Sequence, residues 1–321
     1  MEVQAPFGIV TACHQGDLRY VKATLASASH FCPDVPICVI ADGDFDTREL
    51  TDAYPVIIIR TTEIDDPVVQ QYCRGNPRSK LVAMWHGPFD RYIYLDADAI
   101  VWGDIRKKLC WNDEDFLVFW NQPTEHAHRS WLAEYYMKID SVLARNPEFE
   151  WMHNPYFSTG AFACRKNVIS KNEWVEIEEW RKTEPDLFSW TRDQGILNYL
   201  VFWKAQMGQL KLGYRDLQWI PEHRGIEITK QKFTITRSGY PKSVKDPFIM
   251  HFCGGKPDCY RWKNYSLPFT VSRYSFHTNG RGMSSFIAAL HLFREELIAA
   301  TGHVWRKMNS PKNSKKLHNQ Q

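Results

Sequence analysis

The sequence predicts an α/β protein built on an open, mostly parallel sheet with helices on both faces. Three observations predict it. Short apolar runs that read as buried strands alternate with segments whose apolar residues recur at helical spacing. The length, 321 residues, suits one large α/β domain or two small ones. Small and acidic residues, Thr11-Ala12, Asp42 and the pair Asp96 and Asp98, collect at the carboxyl ends of the runs, where open sheets of this class bind ligands.

The elements follow in order. Phe7-Gly8-Ile9-Val10-Thr11-Ala12 reads as the first strand. From Leu18 to His30 the apolar residues Leu18, Val21, Leu25 and Ala28 keep helical spacing. Pro36 to Ala41 is a second strand ending at Asp42-Gly43, and Val56 to Ile59 a third. Ser79 to Trp85 is a short helix closed by Gly87-Pro88. The stretch from Arg91 to Val101 opens as the fourth strand, and Phe116 to Trp120 is a further one. Asn121 to Pro155, rich in His, Trp and Tyr, breaks the rhythm; it is either a lid or acceptor insertion or an ordinary helical hairpin. Tyr156 to Arg165 is strand-like, and Asn167 to Arg181 is an amphipathic helix. Thr191 caps a helix that begins at Arg192 or Asp193. Phe248-Ile249-Met250 is the last strand, and Ser284 to Trp305 is a helix with Phe286, Leu290, Phe293 and Leu297 on one side. The organisation expected is one domain over 1–283, with 121–155 as its insertion. A C-terminal helix over 284–306 and a basic polar tail over 307–321 without fixed structure complete it.

Composition excludes several classes. Hydrophobic residues at 44% and charged residues at 24% are ordinary for a globular chain. The 13 Trp, 14 Tyr and 18 Phe exceed what a core needs and leave rings to stack on a base or a sugar. A net charge of +3 is too small to argue for nucleic acid. No apolar run approaches the roughly 18 residues of a membrane span, and the N-terminus does not read as a secretory signal. The eight Cys contain no C-x-x-C pair and sit in apolar surroundings, so reduced thiols in a cytoplasmic setting are expected. Cys and His also lack tetrahedral zinc spacing.

Asp96 and Asp98 carry the first chemical signal. In extended chain they point to the same side with Cα atoms about 6.6 Å apart. Two bare carboxylates at that separation repel by roughly 2–3 kcal/mol at an effective dielectric of about 20. A divalent cation with oxygen ligands removes that cost. The alternative is that Asp96 caps a helix and Asp98 is a surface residue.

Four motifs then stand in chain order: Tyr94-Leu95-Asp96-Ala97-Asp98, Phe157-Ser158-Thr159-Gly160, Asp193-Gln194-Gly195-Ile196-Leu197-Asn198 and His251-Phe252-Cys253-Gly254-Gly255-Lys256-Pro257. With them the chain resembles the GT-A fold glycosyltransferases, and among these the family 8 group of glycogenin and the bacterial lipooligosaccharide galactosyltransferases. It departs from that group at three places. Gly195 stands where the family has the second acid of D-Q-D, one residue is missing between Gly254 and Lys256, and Asp258 replaces an aromatic residue.

The resemblance implies a GT-A catalytic domain and metal-dependent sugar transfer from a nucleoside-diphosphate donor, most simply UDP-linked, to a hydroxyl of a glycan, glycolipid or protein. It implies Asp96, Asp98 and His251 as metal ligands, with Asp96 also on the nucleotide side. An imidazole in an oxygen site suits Mn²⁺ better than Ca²⁺, with Mg²⁺ as the alternative. Gly254, Gly255 and Lys256 offer flexible backbone and a cation to the diphosphate. The nucleoside is expected near Thr11, Ala12 and Asp42. Asp17 and Tyr20 either touch it or are ordinary helix residues, and Lys80 is either a donor-side cation or surface charge. Asp193 and Gln194 are expected to face the donor sugar, Gln194 beneath the anomeric carbon as in retaining members; the alternative makes Asp193 only an N-cap. Inversion would need a carboxylate base, for which Glu125, Glu134 and Asp258 are the candidates. The C-terminal helix with Arg306, Lys307, Lys312, Lys315 and Lys316 either touches a membrane surface peripherally or packs with its tail disordered.

Two other classes compete. A sugar-nucleotide nucleotidyltransferase would carry a Gly-rich basic loop after the first strand, whereas Thr11-Ala12-Cys13-His14-Gln15-Gly16 has one Gly and no Lys or Arg. A non-catalytic nucleotide-sugar binding protein would not need His251 beside Asp96 and Asp98.

Overall fold

The computed structural model describes residues 5–75, 78–119, 128–189, 193–235, 240, 244–253, 256–258 and 265–309. Of the residues singled out above, Glu125, Thr191, Arg192, Gly254, Gly255 and the tail from 310 onward lie outside the described residues. Ten strands are described: β1 (Ala5–His14), β2 (Ile37–Asp42), β3 (Val56–Arg60), β4 (Phe89–Asp96), β5 (Ala99–Trp102), β6 (Phe116–Val118), β7 (Ala161–Arg165), β8 (Leu212–Tyr214), β9 (Gln218–Trp219) and β10 (Phe248–His251).

Seven of them form the main sheet in the order β3-β2-β1-β4-β7-β6-β8. The pairs β2–β3, β1–β2, β1–β4 and β6–β8 are parallel, and β7 runs antiparallel to both neighbours. The sheet is thus mostly parallel, as expected. Parallel neighbours need crossovers, which helices supply. The helix Leu18–Phe31 carries the chain from β1 to β2, and the helix Arg48–Ala53 carries it from β2 to β3.

Period-2 alternation sorts each strand between two apolar layers. Cys38, Ile40, Tyr92 and Tyr94 join the layer that contains Leu81, Trp174, Leu197 and Phe202. Ile37, Val39, Ile93 and Leu95 join the opposite layer with Val21, Leu25, Phe269 and Phe276. Both faces are covered, so the strands read as unbroken apolar runs.

The stretch from Arg91 to Val101 is two elements, where one strand entering a turn was expected. β4 stops at Asp96, Ala97 and Asp98 make a turn, and β5 leaves for a second sheet of order β5-β10-β9. There Ala99 lies opposite His251. The carbonyls freed by the turn still need partners. Thr24 Oγ1 on the first helix lies 2.7 Å from the Ala97 carbonyl oxygen and 2.8 Å from that of Ala99. The strand-like stretch from Tyr156 is regular only from Ala161, as β7. β8, β9 and the helices Arg48–Ala53, Pro67–Tyr72 and Leu267–Ser275 are additions, most of them too short to show a period.

The described part of 121–155 holds the helices Arg129–Tyr135 and Ile139–Arg145. Leu132, Met137, Val142 and Phe149 from this part lie in the core, which is the packing of a helical hairpin. The C-terminal helix runs Ser285–Asn309. It is held through charge: Glu295 meets Lys22 at 2.5 Å and also pairs with Arg273, whose guanidinium reaches Glu296 as well. Its apolar side is open, with Phe286 74% and Phe293 67% exposed and Leu290 and Leu297 beside them. Among the described residues no helix is long and apolar enough to cross a membrane. The seven cysteines among them form no disulfide.

Asp66 ties three helices together. Its carboxylate accepts from the Val68 and Val69 amides at 2.9 and 3.4 Å, meets His86 Nε2 at 2.8 Å and pairs with Lys171. Burial alone would raise its pKa, but the Lys171 and His86 contacts and the two amides lower it from 3.8 to about 2. A depressed acid contributes stability that is present above its unfolded pKa and lost as pH falls through the folded one. Asp66→Asn is therefore expected to cost about 2 kcal/mol near neutral pH. It should also flatten the loss of stability between about pH 4 and pH 2. Urea unfolding of both proteins across that range checks it.

Candidate active site

β4 delivers Asp96 to the edge of the main sheet, and the turn after it brings Asp98 alongside. The Asp96 amide donates to the Gly160 carbonyl at 2.8 Å, and the Phe252 amide donates to the Asp98 carbonyl at 3.2 Å. These bonds tie the turn to β7 and to the end of β10. His251, the last residue of β10, points its Nε2 at both carboxylates, 3.6 Å from Asp96 Oδ2 and 3.5 Å from Asp98 Oδ1. The three ligand atoms all lie within 4.8 Å of one another. The glycine of the Phe157-Ser158-Thr159-Gly160 motif has a steric reason here: a Cβ at 160 would stand 1.9 Å from His251 Cε1.

A test of fit for a metal is the second nitrogen of His251. Its Nδ1 lies 2.8 Å from the Gln218 side-chain amide nitrogen, while Gln218 Oε1, also buried, has no partner among the described residues. Turning that amide over puts Oε1 on Nδ1–H, satisfies the orphan oxygen and leaves the Nε2 lone pair facing the carboxylates. Two carboxylates and an imidazole so oriented fit a divalent ion of the Mn²⁺ type.

Lys80 lies beneath this cluster, 3% exposed. Its ammonium is 3.2 Å from Asp96 Oδ1, 2.9 Å from Asp193 Oδ2 and 3.1 Å from the Thr159 carbonyl oxygen. Burial works against its charge, but Asp193 and Asp96 overcome it and raise its pKa. Of the two readings left open for Lys80, surface charge is thereby excluded. Asp193 starts the helix Asp193–Gln206, is 2% exposed, and also accepts from Thr159 Oγ1 at 2.9 Å. Tyr94 donates to Asp96 Oδ1 at 2.9 Å, and burial together with Asp96 keeps its hydroxyl protonated.

Lys256 stands on the other side, 2.5 Å from Asp98 Oδ2. Burial would raise the Asp98 pKa, yet His251 and Lys256 hold it well below the usual carboxylate range. Three carboxylates thus face two ammonium groups, an excess of negative charge that favours a cation. A cleft opens above them, lined by Ala12, Cys13, His14, Asp17, Ser79, Tyr94, Asp96, Ala97, Asp98 and Lys256.

The remaining candidates divide. Ala12 and Asp17 line the cleft. Thr11 does not: its side chain is fully buried below and its hydroxyl has no partner among the described residues. Asp42 ends β2 beside His14 and accepts from Thr61 Oγ1 at 3.1 Å, with β1 between it and the Asp96–Asp98 turn. Gln194 donates to the Tyr135 carbonyl at 3.0 Å, so it is held against the helical hairpin. At Gly195 a Cβ would sit 2.0 Å from the Tyr136 carbonyl oxygen, so no acid has room there. Asn198 fixes the Phe157 backbone from both sides, accepting at 2.9 Å and donating at 3.0 Å. Two of the suggested bases are poorly placed: Glu134 is exposed, and Asp258 is 2% exposed and paired with Arg19 at 2.6 Å.

Sequence reasoning missed Gln218, Thr24, His14 and the role of Thr159. Gln218 lies on a two-residue strand that no periodicity reveals. Thr24 left a signal, a hydroxyl among the apolar residues of the first helix, that had no stated use.

No protein-family model matches the chain, and no curated protein matches it in sequence. Solved structures do match. The galactosyltransferase LgtC, in complex with donor and acceptor sugar analogs, superposes with TM-score 0.53 over 83% of this chain and 95% of its own, at 16% identity. The bifunctional glycosyltransferase WbbM superposes with TM-score 0.54 over 88% of this chain and 53% of its own, at 13% identity. The chain has the GT-A glycosyltransferase fold. An active-site mutant of LgtC gives the same answer, TM-score 0.51 at 16% identity over 83% of this chain and 94% of its own. In that fold the carboxyl ends of β1 and β4, with the Asp96–Asp98 turn, face the cleft described above.

Two outcomes follow from the packing. Lys80→Met leaves the Asp193 carboxylate buried without its cation and should destabilise the protein by about 3–5 kcal/mol at neutral pH. Burial already raises the Asp193 pKa, and without Lys80 it rises further. A raised acid binds its proton more tightly folded than unfolded, so the deficit relative to wild type should shrink as pH falls toward about 5. Denaturant midpoints at the two pH values check this. Gly160→Ala should displace the His251 imidazole, visible as a shifted His251 resonance in the histidine NMR spectrum, with the sheet intact by circular dichroism.

Proposed function

We propose that this chain is a metal-dependent glycosyltransferase that moves a sugar from a nucleoside-diphosphate donor, UDP-linked, to a hydroxyl of a glycan, glycolipid or protein acceptor. The observation that carries the reading is the convergence of Asp96, Asp98 and His251 within 4.8 Å at the end of β4, in a glycosyltransferase fold. Transfer breaks the anomeric C–O bond and sends off a diphosphate of growing negative charge, so fixed positive charge aimed there lowers the barrier most. When bound by Asp96, Asp98 and His251, Mn²⁺, or Mg²⁺ in its place, supplies Lewis-acid stabilisation of that leaving group.

The chain's own groups do the rest. Lys256 gives the diphosphate a second positive charge at the cleft wall. Lys80 pairs with Asp96 and Asp193 and fixes the start of the helix that carries Gln194. Gln194 lies beneath the anomeric carbon of the donor sugar, while Asp193, expected to face the sugar, is instead buried against Lys80 and Thr159 and holds the start of that helix. Ala12 and the neighbouring strand ends, with Asp42 further out, border the nucleoside. Retention is the favoured outcome, because Glu134 and Asp258, the described candidates for an inverting base, are exposed or committed elsewhere. The helical hairpin at 129–145 borders the acceptor side through Tyr135, whose carbonyl holds Gln194. Unpaired thiols support a cytoplasmic setting. The open stripe of Phe286, Leu290, Phe293 and Leu297, followed in sequence by basic residues, supports peripheral membrane contact. Cosedimentation with anionic vesicles, lost on Phe286→Ser/Phe293→Ser, tests that contact.

A nucleotidyltransferase is the weaker reading, since β1 runs as regular strand to His14 with no Gly-rich basic loop behind it. Nucleotide release from a panel of UDP-, GDP- and other activated sugars, with Mn²⁺ and with EDTA, tests the function. The expected result is slow hydrolysis of one donor that needs Mn²⁺ and is lost in Asp98→Ala. Absence of both turnover and Mn²⁺-dependent nucleotide binding for every donor would sink the proposal.

A further inference from the structure

Asp258 stands where the resembling family carries an aromatic residue, and it is buried. Its Oδ1 accepts from the Tyr20 hydroxyl at 2.8 Å and from Arg19 Nη2 at 2.6 Å. Arg19 also reaches the Tyr20 hydroxyl at 2.5 Å and lies over the Tyr20 ring, 4.5 Å from its centroid. Burial, with Asp258 close by, raises the Tyr20 pKa, so the hydroxyl remains a donor. Two residues before Asp258 is Lys256, whose carbonyl accepts from the Asp258 amide at 2.9 Å. The Lys256 ammonium is 5.9 Å from the centroid of the same Tyr20 ring. Tyr20 is itself wedged edge-on against Phe269, centroids 5.9 Å apart.

We infer that Arg19, Tyr20 and Asp258 form a clasp that positions Lys256 for the diphosphate of the donor. The clasp is specific to this chain's departure from the motif, and it rests on the glycosyltransferase reading above. The physical case has three parts. A lysine side chain loses rotamer entropy when ordered, so a lysine already ordered binds a phosphate more tightly than a free one. Asp258 anchors the backbone two residues on, through a carboxylate that two donors from one rigid helix satisfy. The Tyr20 ring offers its face to the ammonium while its hydroxyl holds the anchor, so one side chain restrains Lys256 at both ends. These are positioning residues; none of them is placed against the reacting atoms.

The test uses the full chain and three single variants, Asp258→Asn, Tyr20→Phe and Lys256→Ala, with the two double variants that contain Lys256→Ala. Tyr20→Phe keeps the ring against Phe269 and removes only the hydroxyl, so it serves if the Asp258 variant folds poorly. Two readouts are taken. Hydrogen exchange in the absence of nucleotide should speed up about threefold or more at residue 258 in Tyr20→Phe and Asp258→Asn, with β1 and β4 unchanged. Calorimetric titration with UDP and Mn²⁺ should show Kd raised about tenfold in each of these two variants. In the Lys256→Ala background neither change should weaken binding further, because the clasp acts through that lysine. Titration with Mn²⁺ alone should be unaffected. Unchanged exchange at residue 258, or losses that add fully to that of Lys256→Ala, would overturn the clasp. If the wild type binds no nucleoside diphosphate at all, the functional reading fails, and the exchange data alone decide whether the clasp holds Lys256.

Discussion

A single buried ammonium holds the site together. Lys80 bridges Asp96, at the end of β4, and Asp193, at the start of the helix Asp193–Gln206. Burial works against the charge of Asp193, and it works against that of the lysine, which its two carboxylates keep protonated. The bridge therefore does more than pair charges. It joins a strand terminus to a helix terminus, so the Asp96–Asp98 turn and the start of the helix Asp193–Gln206 are held as one unit. Thr159 reinforces the joint from β7's leading segment, accepting from Lys80 through its carbonyl and donating to Asp193 through its hydroxyl.

The rest of the architecture delivers groups to that joint. Parallel strands β1 and β4 end side by side, with Ala12 opposite Asp96. The chain then turns out of the main sheet into the second one, and His251 returns from there to face the turn it left. The second sheet brings His251 to the two carboxylates from the opposite direction. The first helix supports the arrangement from behind: Thr24 meets the turn carbonyls, and Ser27 accepts from the Val101 amide at 3.0 Å.

Much of this was legible in the sequence, for identifiable reasons. The central strands are apolar on both faces, so β1 to β4 announced themselves as unbroken runs. Asp96 and Asp98 were visible because paired carboxylates after a buried strand are costly and unusual. The helix start at Asp193 was visible from its spacing. What stayed hidden depends on contacts between distant segments. Lys80 reads either as a donor-side cation or as surface charge until its two acids arrive from later in the chain. Gln218 sits on a strand too short to have a pattern. Asp258 read as a candidate base because nothing local shows Arg19 and Tyr20 reaching it. The break between β4 and β5 was also hidden, since Ala99-Ile100-Val101 continues the apolar run without a turn residue other than Asp98.

The contact of Gly160 with His251 carries a further consequence. There is no clearance for a methyl group at 160 while an imidazole occupies 251. A substitution that enlarges the first position has to push the imidazole at the second aside. Moving that imidazole takes it away from Asp96 and Asp98, the two carboxylates it faces. The two positions are locked as a pair, and drift around them has to go through other parts of the cleft.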